Sequence, residues 1–350
     1  MAPIAPEPAH PGRTRLRSWA RLPDEQLLGL RFRDLKVSLR SPRLRRGIAR
    51  LNEELAAAGL AFRPHYWLAD EWFSPDGVPG IAIPFYLAHP RLRALEWRMM
   101  REVEGGNANW LMRILRHEAG HALDSAFRLR RRRRWREVFG PASLPYPDSY
   151  RPRPGSRRYV QHLGAWYAQS HPTEDFAETF AVWLKGPQWR HTYREWPALA
   201  KLEYVDELMR ELRGQAPVVR RRARIEPISG DQRTLGEHYR ARLLRQARGR
   251  ARLLDEALRR TFTPVRKSAR AVRAATFMRR VKTPVRRALA LRLDVSEYLV
   301  HQVMRLVIQR AGERGLYLRT AQRPARHHVE RLLLRIARLH LDGSAGRHML

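Results

Sequence analysis

The sequence predicts an α+β fold, predominantly helical, with a small sheet and a basic helical C-terminal region. Three observations predict it. Apolar residues recur at three- and four-residue spacing through most of the 350-residue chain, the period of a helix with one buried face. Two short runs rich in aromatic and branched residues, Phe62–Leu68 and Gly80–Leu87, read instead as strands. Composition also shifts along the chain: nine of the ten Trp lie between Trp67 and Trp196. Residues 1–200 hold 33 basic and 20 acidic side chains (net +13), and residues 201–350 hold 36 and 14 (net +22). The length suits two domains, or one with an appendage.

Taken in order, residues 1–30 read as a loose Pro- and Arg-rich tail. Ser41-Pro42 starts a helix, with Ser as cap and Pro at the first helical position, and Leu44, Ile48, Leu51 and Leu55 as its apolar stripe. Gly59 ends it. Pro84 demotes the second strand to an edge, which could accept an extended peptide or simply pack. Asn107 caps a helix running to about Leu129. Residues 140–158 carry five Pro and two Gly and must be a loop. Pro172 opens a helix to about Leu184, and another follows near 197–213. Residues 214–235 read as a Pro/Gly/Arg linker. The basic region, 236–350, should hold helices near 236–261, 266–292, 295–313 and 325–341, with Asp294 and Glu297 forming a capping box for the third. Its Arg-rich polar faces leave Leu253, Leu254, Leu258, Leu299, Val303, Leu306, Leu332 and Leu333 to bundle.

Composition also excludes. The chain has no Cys, so disulfides, thiolate nucleophiles and Cys-ligated metals are ruled out, and any metal falls to His, Asp or Glu. The longest uncharged apolar stretch, Gly77–His89, is far short of the ~20 residues that span a bilayer. The N-terminus has no apolar signal region, so the expected location is cytoplasmic. The net charge is +35, and 64 of the 69 basic residues are Arg. Either a polyanion partner or a general bias towards Arg on solvated positions accounts for this. No helix-turn-helix or zinc-finger spacing appears, so polyanion binding by the C-terminal region should be weak, non-specific and salt-sensitive.

The chemistry concentrates at His117-Glu118-Ala119-Gly120-His121, an HExxH motif inside the apolar-periodic helix that begins near Asn107. With 14 His in the chain, composition predicts only about 0.03 chance occurrences. His117 and His121, four apart, project from one helical face and can bind one metal ion. Glu118 sits about 100° round the helix, placed to act on a metal-bound water as general base. One zinc ion suits this donor set. The candidate third ligand is Glu174, on the helix opened by Pro172, with Glu178 one turn on to accept a hydrogen bond from a ligand His. His171 competes as a ligand, but beside Pro172 it better suits a cap or a substrate contact. Asp124, seven residues after His117, either supports a ligand or pairs with an Arg.

HExxH followed by a helix with Glu-x-x-x-Glu resembles the gluzincin metallopeptidases. The similarity is closest to the lethal-factor-like branch, whose second helix reads Glu-x-Phe-Ala-Glu-x-Phe, here Glu174-Asp175-Phe176-Ala177-Glu178-Thr179-Phe180. The resemblance implies that Tyr167, seven residues before Glu174, helps stabilise the oxyanion. Beside Trp166 it could equally be a packing aromatic. The stretch Trp166–Phe180, with Trp72-Phe73, Pro84-Phe85-Tyr86, Tyr146-Pro147 and Lys201-Leu202-Glu203-Tyr204, also resembles a group of bacterial zinc-binding metallopeptidases. It implies a zincin-like catalytic domain over residues 31–213 and a peptide or protein substrate. The expected function is zinc-dependent hydrolysis of peptide bonds. Two alternatives remain: a nucleic-acid-associated protein with a protein-trimming zinc domain, and a pseudoenzyme that binds peptides without cutting. The intact Glu118 argues against the second.

Overall fold

A computed structural model describes residues 18–147, 150, 152–164, 166–266, 268–293, 295 and 297–341. They divide into two compact units, one of residues up to 144 with 153–240, the other of 145–152 with 241 onward. The fold is α+β and mostly helical.

The first unit holds helices α1 (Asp24–Leu28), α2 (Pro42–Ala57), α3 (Pro90–Met100), α4 (Ala108–Phe127), α5 (Arg133–Phe139), α6 (Pro172–Leu184), α7 (Trp189–Thr192) and α8 (Leu199–Glu211). Its sheet has two parallel strands, β1 (His65–Ala69) and β2 (Gly80–Pro84), with His65 opposite Gly80 and Ala69 opposite Pro84. The caps act as their sequences require. Ser41 Oγ accepts from the Leu44 N–H, and Asn107 Oδ1 accepts from the Trp110 N–H at 2.8 Å. The core gathers Leu44, Leu51 and Leu55 of α2, Ile81 and Ile83 of β2, Leu111, Leu115 and Leu123 of α4, and Phe176 and Phe180 of α6. Gly47 lets α2 sit close on α4, because a Cβ there would stand 3.1 Å from Leu111.

Three expectations for this unit change. Within the 1–30 tail, residues 1–17 lie outside the described residues, but residues from 18 on are not loose. Trp19 and Leu27 are buried, and Trp19 Nε1 donates to the Leu35 carbonyl, because two large apolar side chains outweigh the local Arg and Pro. The second strand stops at Pro84 and continues as a 3₁₀ turn, Phe85–Ala88. All of β2 is buried, and its Ala82 N–H donates to the Phe73 carbonyl, so this edge is already partnered there. Residues 214–235 form a strap rather than a free linker. The Val219 N–H donates to Ala126 O and the Ile228 N–H to Leu68 O, while Trp67 Nε1 donates to Ile225 O. The strap satisfies polar groups that β1 would otherwise leave bare.

In the second unit lies most of α9 (Leu235–Thr261), then β3 (Phe262–Thr263), α10 (Ala274–Arg280), α11 (Lys282–Leu293), α12 (Glu297–Glu313), β4 (Tyr317–Leu318) and α13 (Gln322–Leu341). The strands pair antiparallel. Leu254, Leu258, Val303, Leu332 and Leu333 join its core as expected, with Met278, Met304 and Val329. Leu253 is only partly buried and Leu306 is exposed, because the buried stripe of α12 runs through Val300, Val303, Met304 and Val307. The side chain of Leu299, and Asp294 of the expected capping box, lie outside the described residues. The expected helix 266–292 is two helices. Pro284 cannot accept a helix running through Arg280, whose carbonyl its ring would strike, so α10 ends there. Residues before α10 are extended and pair with β4, as Leu318 N–H to Val272 O. No helix of the described residues is long and apolar enough to cross a membrane.

Candidate functional site

The site lies where α4 and α6 pack face to face. Their approach depends on Gly120, within HExxH: a Cβ there would fall 2.9 Å from Ala177 Cα, inside contact distance. Gly120 against Ala177 thus allows a close crossing, while Phe176 and Phe180 fill the flanking core. Carboxylates of α6 are thereby brought to the histidines of α4.

His117, His121 and Glu174 converge on one point. His117 Nε2 is 3.1 Å from His121 Nε2 and 3.0 Å from Glu174 Oε2, and His121 Nε2 is 3.2 Å from the same oxygen. Ligands about 2.0–2.1 Å from a tetrahedral ion would stand roughly 3.3 Å apart, so the triangle matches zinc to within a few tenths of an ångström. Two imidazoles and a carboxylate are also the donor set of hydrolytic zinc sites with an open position. All three side chains are largely buried.

Electrostatics agree with a cation at this point. Burial disfavours the charged form of His117, but the Glu174 and Glu178 carboxylates at its two ring nitrogens overcome this and push its pKa up to about 10. Burial likewise acts against the Glu174 carboxylate, yet His121 and His117 hold it well below the ordinary value.

Glu178, one turn beyond Glu174 on α6, meets the other nitrogen of the His117 ring. His117 Nδ1 donates to Glu178 Oε1 at 3.0 Å. Glu178 Oε2 is held in turn by the backbone N–H groups of Leu163 at 2.9 Å and His162 at 3.3 Å. His162 Nε2, against Arg113 O at 2.9 Å, ties this loop to α4. Burial pushes the His162 pKa down to about 4, so it stays neutral beside the charged cluster.

Glu118 is buried, and its Oε2 has no hydrogen-bond partner among the described residues. A buried carboxylate oxygen left bare is costly unless it serves a ligand or a water. Tyr167 lies in a 3₁₀ turn, its ring 5.5 Å from the His117 ring, so it borders the site. Trp166 before it takes a left-handed conformation, φ 53°.

Asp124 does not touch the ligands. Its two oxygens accept from the Arg130 backbone N–H at 2.8 Å and from Arg130 Nε at 2.5 Å, so the Arg-pairing alternative holds among the described residues. The reason is local: the 3₁₀ turn Leu129–Arg131 folds Arg130 back over the end of α4. His171 caps α6, its Nδ1 accepting from the Thr173 N–H, and its Nε2 meets Leu144 O at 2.9 Å. It is not part of the metal triangle.

Sequence reading did not single out Gly120, the His162–Leu163 backbone, or a buried ion pair behind Glu174. In that pair Lys201 Nζ meets Asp175 Oδ2 at 2.5 Å and stands 4.2 Å from the Tyr159 ring centre. Burial pushes the Asp175 carboxyl up to about 7 against the pull of Lys201. The Gly inside HExxH was the one available signal.

Residues 98–208 match the sequence model of the family described as "Putative zinc-binding metallo-peptidase". No curated protein and no solved structure matches the chain significantly. The matched segment runs from the end of α3 into α8 and contains every residue of the site.

Proposed function

We propose that the first unit is a zinc-dependent hydrolase of peptide bonds, of gluzincin type, with His117, His121 and Glu174 as metal ligands and Glu118 as general base. The observation that carries this is the three-donor triangle between α4 and α6, beside a Glu118 oxygen of α4 that has no partner among the described residues. A bound zinc ion would supply Lewis acidity, polarising a carbonyl and lowering the pKa of a water at neutral pH.

The chain's own groups do the rest. Glu118 Oε2 takes a proton from the attacking water and delivers it to the departing amine nitrogen. The Tyr167 hydroxyl donates to the carbonyl oxygen as negative charge develops there. Glu178 fixes the His117 tautomer with the proton on Nδ1, which leaves the Nε2 lone pair for the ion. The backbone N–H groups of His162 and Leu163 keep Glu178 aimed at His117. An extended or unfolded segment of polypeptide is the substrate class.

The test is digestion of a peptide library by zinc-loaded protein, with cleavage read by mass spectrometry. The wild type should cut. Glu118→Gln should retain zinc and lose activity by about 10²–10⁴-fold, the usual contribution of a general base. Zinc-loaded wild type that binds peptides without cutting any would make the protein a peptide-binding pseudoenzyme. Equal turnover by Glu118→Gln would remove Glu118 from the mechanism.

A further inference from the structure

Three elements of the C-terminal unit turn basic side chains toward one point. On α13, His328, Arg331 and Arg335 follow at three- and four-residue spacing and share a face. Arg260 stands on the last turn of α9, and Arg319 follows β4. These five side chains line one depression of about 330 Å³ together with Ala257 and Leu332, and no carboxylate of the described residues lines it.

Several arginines elsewhere in this unit are neutralised locally. Arg310 binds Asp255 through two guanidinium nitrogens at 2.8 and 2.9 Å, Arg286 pairs with Glu297, and Arg326 with Glu330. Three of the four arginines around the depression, Arg319, Arg331 and Arg335, lack such a partner among the described residues. Arg331 and Arg335 have no acidic partner among the described residues. Arg260 is paired, with Glu256 one turn back on α9 at 3.6 Å. Arg319 is held in place by donating to the Arg259 carbonyl at 2.6 Å, which fixes its direction but leaves its charge unmatched. Like charges gathered in a concavity repel one another, and low-dielectric walls concentrate their field. A multiply charged anion reverses the sign of that energy.

We propose that this depression binds a small phosphorylated anion carrying a di- or triphosphate group. Guanidinium forks match phosphate oxygens in pairs, and several Arg can share one phosphoanhydride. The volume suits a compact ligand, at the low end of the roughly 300–1,000 Å³ usual for small-molecule sites. Among the described residues its one ring is the His328 imidazole, and no Phe, Tyr or Trp lines it to form the row of stacking platforms that single-strand nucleic acid uses. The depression shares no residue with the His117, His121 and Glu174 site.

Isothermal titration of the full-length protein with tripolyphosphate, at about 50 and 200 mM salt, tests this. Arg331 and Arg335 are exposed, so Arg331→Gln/Arg335→Gln should fold normally, and circular dichroism checks that it does. Arg279→Gln/Arg287→Gln removes the same charge from exposed positions of the unit outside the depression. The expected result is that the first pair weakens tripolyphosphate at least tenfold while the second leaves it within about twofold, since a hydrogen bond to a charged group is worth about 1.5–3 kcal/mol. No binding to wild type, or equal weakening by both pairs, overturns the proposal. So does a short oligothymidine that binds more tightly than tripolyphosphate and is weakened alike by both pairs, which would assign a diffuse nucleic-acid surface instead.

Discussion

His117 meets a carboxylate at each ring nitrogen, and that arrangement sets the logic of the site. Glu178 takes the Nδ1 proton, Glu174 stands beside Nε2, and the ring can present only one lone pair in one direction. Tyr167 adds the group whose contribution is most readily separated from metal binding. Tyr167→Phe keeps the ring against His117 and deletes only the hydroxyl. It should lower turnover by about 10²-fold or more, the range for one oxyanion donor, with zinc content unchanged. Steady-state kinetics beside metal analysis measures both, and full activity in the variant would leave Tyr167 a packing aromatic. At this scale the sequence was legible where chemistry and spacing lie on one helix. His117, Glu118 and His121 need only the helical period to be placed. Asp124 was half legible: the period gives its face, but not the turn that returns Arg130 to it. The backbone donors to Glu178 were illegible, because any residue at 162 or 163 offers the same N–H.

Between elements, the crossing of α4 and α6 does the positioning. Glu174 is 53 residues beyond His121 in the chain, so its distance to the metal point is a property of that crossing alone. Gly120→Ala places a methyl 2.9 Å from Ala177 Cα, where the neighbour is backbone and cannot rotate aside. The helices must separate, drawing Glu174 and Glu178 away from the histidines. The variant should weaken zinc by tenfold or more and destabilise the fold by about 1–3 kcal/mol, as overpacking does. Competition with a chromogenic chelator measures the first and denaturant unfolding the second. Unchanged zinc affinity would show that the crossing has slack. Helices α2, α4, α6 and α8 were legible from caps and apolar period, which act locally. The parallel pairing of β1 with β2, and the strap that closes over β1, were not. Both depend on which distant segment satisfies a backbone group, and residues 214–235 carry the composition of a loop whether or not they are bonded.

At the scale of the whole molecule, metal and stability are linked. An ion that binds only the folded chain stabilises it by about 4 kcal/mol at a thousand times its dissociation constant. For a unit of this size that raises the melting temperature by on the order of 10 °C. Chelator-treated protein should therefore melt well below zinc-loaded protein, whereas the shift should shrink in Glu174→Ala, which keeps the two His donors but binds zinc more weakly. Calorimetry that finds no shift for wild type would mean that the donors do not grip a metal. The two units have separate apolar cores, and the site draws only on the first. Trp concentrates before residue 197 and Arg after it, whereas the two units part at residue 240, and the burial of Trp19 and Leu27 was not legible, since nothing adjacent in sequence marks their partners. Zinc K-edge X-ray absorption on the purified full-length protein tests the central claim most directly. The prediction is one ion per chain with two imidazole nitrogens and a carboxylate oxygen at about 2.0–2.2 Å, and loss of one oxygen scatterer in Glu174→Ala. An ion whose shell is unchanged by Glu174→Ala, or that stays bound in His117→Ala, would contradict it.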